Sequence, residues 1–177
     1  MPTPMTHLHS WKNLFTHGLL WVALFAGTPS ALAQGATAPQ AGSTFSLPAN
    51  TADGARFDLS AIGGNVTVVF YWSTGCAVCR DSLPELRANL AGWRNKPFSL
   101  VVVNVDRQAQ DWLAYERVLG KMQVPQRGYI SVRQDDSVVP PIRLPMTLVV
   151  DAKGKVVQRI DGRVAPEVWD TVADLLN

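Results

Sequence analysis

Two cysteines, Cys76 and Cys79, are the only thiols among the 177 residues, and Ala77 and Val78 separate them. A thiolate is the nucleophilic form of cysteine, and two neighbouring thiols can pass an electron pair to another disulfide, so this spacing suits thiol–disulfide exchange. It also suits a metal clip or a structural staple. Which of these applies depends on what surrounds the pair, and on where along the fold it stands.

The segment before the pair, Val66-Thr67-Val68-Val69-Phe70-Tyr71-Trp72, is almost continuously apolar and β-branched or aromatic, which predicts a strand buried on both faces. After Cys79 the period changes. Leu83, Leu86, Leu90 and Trp93 fall at helical spacing while Arg80, Asp81, Arg87 and Arg94 fill the polar side, with Pro84 a kink and not an end. The cysteines therefore stand at a strand-to-helix junction. The first helical turn carries unpaired N–H groups and the positive end of the helix dipole, which favours thiolate over thiol and lowers a cysteine pKa from ~8.5 to about 3.5–7.5. Cys76 at the mouth is the expected nucleophile, and Cys79, one turn further in, the expected resolving thiol.

The N-terminus bears on the alternatives. Lys12 and three histidines precede the apolar run Leu19 to Ala26. Gly27, Thr28 and Pro29 break that run, and Ala31-Leu32-Ala33 offers small residues at the positions a signal peptidase reads. This predicts a secretory signal peptide over residues 1–33, cleaved after Ala33, and hence an exported protein. Were the segment retained it would be a membrane anchor, but the run is shorter than the ~20 residues a bilayer span needs. Cleavage removes every histidine. It leaves 15 of the 16 basic residues against 14 acidic ones, a balance that gives no reason to expect nucleic acid as a partner.

The metal reading then fails on ligand number. A site takes about four ligands, and Met146 adds one thioether at most, so neither metal nor cofactor is expected. A staple is poorly placed, because the chain-entropy model gives so short a loop only ~2 kcal/mol against ~4.7 for a hundred-residue loop. In an exported chain, where disulfides persist, a reactive pair is what remains.

Residues 34–44, rich in Ala, Gly, Pro, Gln, Ser and Thr, are expected to be a flexible leader, and the domain to run over 45–177. Arg56 to Leu59 alternates as a short strand would. Phe98 to Val105 predicts a second buried strand, Gln110 to Met122 a helix with Leu113, Val118 and Leu119 apolar, and Tyr129 to Val132 a short strand. Leu144 to Ile160, turning at Asp151-Ala152-Lys153-Gly154, is a hairpin. Pro166 opens a last helix that buries Val168, Trp169, Val172, Leu175 and Leu176. The order predicts an α/β three-layer sandwich, a mixed central sheet with helices on both faces.

The run from Val68 through Cys76-Ala77-Val78-Cys79 to Leu86, with Phe45-Ser46-Leu47-Pro48, Asp53-Gly54 and Leu144-Pro145-Met146-Thr147, resembles the thioredoxin-like periplasmic oxidoreductases of the TlpA and ResA type. The resemblance covers Phe45 to the C-terminus and implies a thioredoxin-like fold. It further implies that Pro145 is cis and faces the active-site disulfide. Pro145, Leu144, Met146, Trp72 and Gly75 would then form the surface that contacts substrate polypeptide. Implied partners are exported proteins with Cys pairs, the haem-binding pairs of apocytochromes c among them, and a membrane thiol–disulfide electron donor or acceptor. The chain departs from that family in three places. Gly75 stands where Trp is usual, Ala77-Val78 lacks the usual Pro, and Ser82 and Phe70 occupy the positions where relatives place a buried acid.

Reductive exchange is the leading expectation, with oxidative disulfide formation as the reverse. Three other functions are weaker. A thiol peroxidase of the P-x-x-x-T/S-x-x-C pattern would find Ser73 in place but Val69 where Pro belongs. A copper carrier would need a histidine, and a redox-inert binding module would not need an intact Cys pair.

Overall fold

The computed structural model describes residues 39–122 and 128–177; the predicted signal peptide lies outside them. Six strands form one sheet: β1 (Ala49–Asn50), β2 (Val66–Trp72), β3 (Phe98–Asn104), β4 (Tyr129–Gln134), β5 (Met146–Val150) and β6 (Val156–Asp161). Their order across the sheet is β1-β4-β3-β2-β5-β6. Both β2–β3 and β3–β4 are parallel, and the remaining pairs are antiparallel. Every residue of β2, β3 and β5 is buried, as their unbroken apolar runs require.

Three α-helices accompany the sheet: α1 (Ala77–Gly92), α2 (Ala109–Lys121) and α3 (Glu167–Leu175). The chain steps from β2 to β3 to β4 in one direction across the sheet. Two right-handed crossovers taken in the same direction place α1 and α2 on the same face. There Leu83, Leu86 and Leu90 of α1, Trp112 of α2 and Val168 and Val172 of α3 pack with Val68, Phe70, Trp72, Leu100 and Val102.

The opposite face carries Val69, Tyr71, Val101, Val103, Met146 and Leu148. It is covered by Phe45, Leu47 and Ala49 of the N-terminal segment and by Ile62 of a single 3-10 turn, Leu59–Ile62. The three-layer arrangement is thus present, with a thin second layer made of extended chain and one short helix.

Three local expectations need correcting. Arg56 to Leu59 is not a strand: Arg56 makes one isolated bridge to Asn50, and the carboxylate of Asp58 then accepts the Ser60 N–H at 2.8 Å and turns the chain into the 3-10 helix. Of the expected leader over 34–44, residues 34–38 lie outside the described residues, and 40–44 are tied to the sheet instead of free. The Gly42 N–H donates to Val156 O at 2.7 Å, the Val156 N–H donates to Ser43 O at 3.0 Å, and Thr44 bridges Lys155, which satisfies groups at the open edge of β6. Val118 and Leu175 face solvent, because the sides of α2 and α3 that meet the sheet are set by Trp112 and Leu119 and by Val168 and Val172. The hairpin is as expected. Asp151 Oδ1 accepts the N–H groups of Lys153 and Lys155, and Gly154 takes the left-handed conformation with φ +78°.

Candidate active site

Cys76 is the N-cap of α1, with φ −85° and ψ 103°, and its Sγ accepts the Cys79 N–H at 3.2 Å. Among side chains that cap helices this is normally the work of an oxygen, and a sulfur in that place receives one of the otherwise orphaned donors of the first turn. The two cysteines are joined as a disulfide with Cα atoms 5.2 Å apart. Their exposure differs sharply. Cys76 is half-buried at the surface, whereas Cys79 is fully enclosed with Leu83, Phe70 and Trp72. Attack from outside can therefore reach Cys76 only.

The turn leading to Cys76 is built from both sides. Cys76 N–H donates to Ser73 O at 3.1 Å, closing the turn, and Arg80 of α1 reaches back to donate to Thr74 O. From the sheet, Asp106 Oδ1 accepts the Thr74 N–H at 2.9 Å. No sequence signal pointed to Asp106, which is brought here by the parallel register that sets Asn104 beside Trp72.

The Leu144–Pro145 peptide is cis. In the antiparallel register Tyr71 pairs with Met146, so Pro145 comes level with Trp72 at the end of β2 that leads into the cysteines. Pro145 itself is buried, Leu144 is half-buried and Gly75 is exposed. Two residues expected to touch substrate do not fit that role. Trp72 is wholly enclosed, its ring 4.7 Å from that of Tyr115, and Met146 points into the opposite core with Leu148 and Val150. The alternation of strand side chains sends one to each face of the sheet and neither to the surface. The loop before the cis-proline carries exposed apolar side chains. Val139 is 81% exposed and Ile142 is fully exposed, with Pro140 and Pro141 between them.

Beneath the disulfide the two positions open to a buried acid hold none. Phe70 packs in the core, and buried Ser82 donates its hydroxyl to Val78 O at 2.9 Å, one helical turn back. Acidic Asp81 is exposed, and Glu85 instead accepts from the Trp169 indole at 3.3 Å and faces Arg163.

Residues 35–167 match the AhpC/TSA family. The chain belongs to that family. No curated protein matches it. Among solved structures it is similar to a thiol:disulfide interchange protein of the thioredoxin family from Chlorobium tepidum, at 21% identity and a TM-score of 0.60, over 80% of this chain and 99% of that one. It is also similar to the thioredoxin domain of a thiol-disulfide oxidoreductase from Bacteroides vulgatus, at 21% identity and a TM-score of 0.60, over 79% of this chain and all of the other. A thiol:disulfide interchange protein from a Bacteroides species aligns over 78% of this chain and 91% of its own, at 21% identity and a TM-score of 0.59. At these identities the likeness establishes a thioredoxin-like α/β fold, here with a mixed six-stranded sheet, three α-helices and a Cys pair at CxxC spacing.

Proposed function

We propose that this AhpC/TSA-family chain is an exported thiol–disulfide oxidoreductase of the TlpA and ResA type, acting reductively on proteins that carry Cys pairs. The observation that carries the proposal is the unequal pair at the start of α1, a reachable Cys76 whose sulfur accepts an amide N–H and a sealed Cys79. In the reduced protein the Cys76 thiolate attacks one sulfur of a substrate disulfide. The substrate's other sulfur leaves as a thiolate, and a mixed disulfide forms. Cys79, losing its proton, then attacks the Cys76 sulfur and releases the second substrate thiol. Two electrons pass to the substrate and the pair ends as the disulfide.

Recharging that disulfide calls for a second dithiol, for which a membrane thiol–disulfide donor is the proposed source. Export rests on residues 1–33 acting as a cleaved signal, with the domain following in the periplasm. The apolar loop bearing Val139 and Ile142, which leads into cis-Pro145, supports a polypeptide substrate, since exposed apolar side chains of this size suit an unfolded segment better than a small polar thiol. The names of the structural neighbours, thiol:disulfide interchange protein and thiol-disulfide oxidoreductase, point the same way.

Insulin reduction by residues 34–177 tests the reading: turnover above the dithiol background supports exchange, and its absence removes it. Equilibration with glutathione then fixes the direction. A potential near about −270 mV indicates a reductant and one near about −120 mV an oxidant.

A further inference from the structure

We infer that Asp106 is a positioning residue for Cys76, acting through the Thr74 backbone; the inference rests on the exchange function proposed above. The neighbouring geometry leaves the carboxylate a single orientation. Asn104, fully buried at the end of β3, donates from Nδ2 to Asp106 Oδ2 at 2.9 Å and accepts the Asp106 N–H on Oδ1 at 2.9 Å. Both ends of the Asn104 amide are thus committed, and Asp106 Oδ1 is left aimed at the Thr74 N–H. Arg133 of β4 adds a third hold by donating to Asp106 O at 3.0 Å. The Arg80 guanidinium takes the Thr74 carbonyl from the other side. The peptide groups on either side of Thr74 are therefore each fixed by a charged side chain.

What makes this necessary is the next residue. Gly75 is exposed, and a Cβ built on it would meet nothing within 4 Å. A glycine with no side chain to pack leaves the backbone directly before the nucleophile more freedom than any other residue would. Cys76 is then held at the mouth of α1 by its own turn bond to Ser73 and by the two holds on Thr74. A clamp of this kind keeps Cys76 close to Cys79, and so favours the closed disulfide over the open dithiol. Loss of the carboxylate has a second effect in the same direction, since removing a negative charge near the turn stabilises the Cys76 thiolate and hence the reduced form.

The test is the equilibrium constant between the Cys76–Cys79 disulfide and reduced glutathione, measured on the exported chain and its variants. A wild type with no reversible couple would overturn the functional proposal itself, independently of Asp106. With the couple present, Asp106→Ala is expected to lower the constant favouring the disulfide by about tenfold, which is about 30 mV in a two-electron couple. Asp106→Asn cannot isolate the charge, because its single oxygen can face only one of the Thr74 N–H and the Asn104 Nδ2 donor. The charge is read instead from the Asp106→Ala effect at low and at about 1 M salt, where a through-space charge effect shrinks and a lost hydrogen bond does not. The inference is overturned if Asp106→Ala, folded, leaves the constant within about twofold of wild type, or if its effect vanishes at about 1 M salt, because the effect would then be charge alone. Should the alanine variant not fold, Asp106→Ser, polar but too short to reach Thr74, takes its place with the same two outcomes.

Discussion

The amide of Cys79 donates to the sulfur of Cys76 at 3.2 Å, so each cysteine helps define the chemistry of the other. The donor belongs to the first turn of α1 and has no carbonyl to bond within the helix. In the reduced protein it is positioned to receive the negative charge of a Cys76 thiolate. Iodoacetamide at neutral pH is therefore expected to label Cys76 and to spare Cys79, which is wholly buried, until the chain is denatured. Peptide mapping after a timed quench reads the result. Equal labelling of both thiols in the folded protein would contradict the assignment of roles. By the same logic Cys79→Ser should accumulate covalent partners through Cys76, and Cys76→Ser should accumulate none.

Ser82 stands where the resemblance to TlpA- and ResA-type oxidoreductases implies an acid, yet its hydroxyl is spent on Val78 O. A hydroxyl bonded back to the preceding turn adds little to helix stability and offers no proton to Cys79. Ser82→Ala should leave the rate of insulin reduction within about twofold and the stability within about 1 kcal/mol. A rate loss of about tenfold or more, read by turbidity with a parallel thermal melt, would place Ser82 in the chemistry after all.

Val139 and Ile142 project from the loop that ends in cis-Pro145. Side chains this exposed contribute almost nothing to folding, and their replacement should change stability by no more than about 0.5 kcal/mol. With Val139→Asp and Ile142→Asp combined, the KM for a polypeptide disulfide should rise about tenfold while the rate with oxidised glutathione stays put. Parallel loss with both substrates would mean that the loop does not bind polypeptide.

Tyr129 lies in the core of the helical face with the Arg87 guanidinium 5.6 Å from its ring centre. Burial pushes its hydroxyl up to about 12, and the Arg87 charge offsets only part of that rise. Unfolded, it would ionise near about 10. Between those values the unfolded chain has lost the proton and the native chain keeps it, so native stability falls as pH rises through that window. Urea denaturation at pH 9 and 11 should show this loss, and Tyr129→Phe should reduce it. An identical slope in the variant would assign the loss to Tyr71, whose hydroxyl burial also pushes up.

Much of the arrangement was readable from residue order. The apolar runs of β2 and β3, the helical spacing of Leu83, Leu86 and Leu90, and the Asp151–Gly154 turn each encode a local preference strong enough to survive tertiary context. The cysteines' place at the junction followed from the change of period alone. What escaped depends on contacts between distant segments. Asp106 is half-buried in an ordinary Asn-Val-Asp stretch, and only parallel pairing of β3 with β2 carries it to Thr74. Trp72 and Met146 flank the site in sequence but lie inside, since a strand sends alternate side chains to opposite faces and a site at the strand's end uses neither. The Arg56 to Leu59 alternation was outweighed by the Asp58 carboxylate, which accepts both the N–H and the hydroxyl of Ser60.

The thin second layer has a consequence for the order of assembly. Phe45 and Leu47, which close the back of the sheet, come first in the domain, while the partners that hold them belong to the last hairpin. Phe45 N–H donates to Gly154 O at 2.8 Å, and Thr44 bridges Lys155. A chain emerging from a membrane pore with its N-terminus leading would present these residues long before their partners arrive. Non-local closures of this kind are slow compared with helix formation. Exported as proposed, the Cys pair, midway along the chain, would pass through the pore and meet an oxidising compartment before the back of its own sheet is sealed.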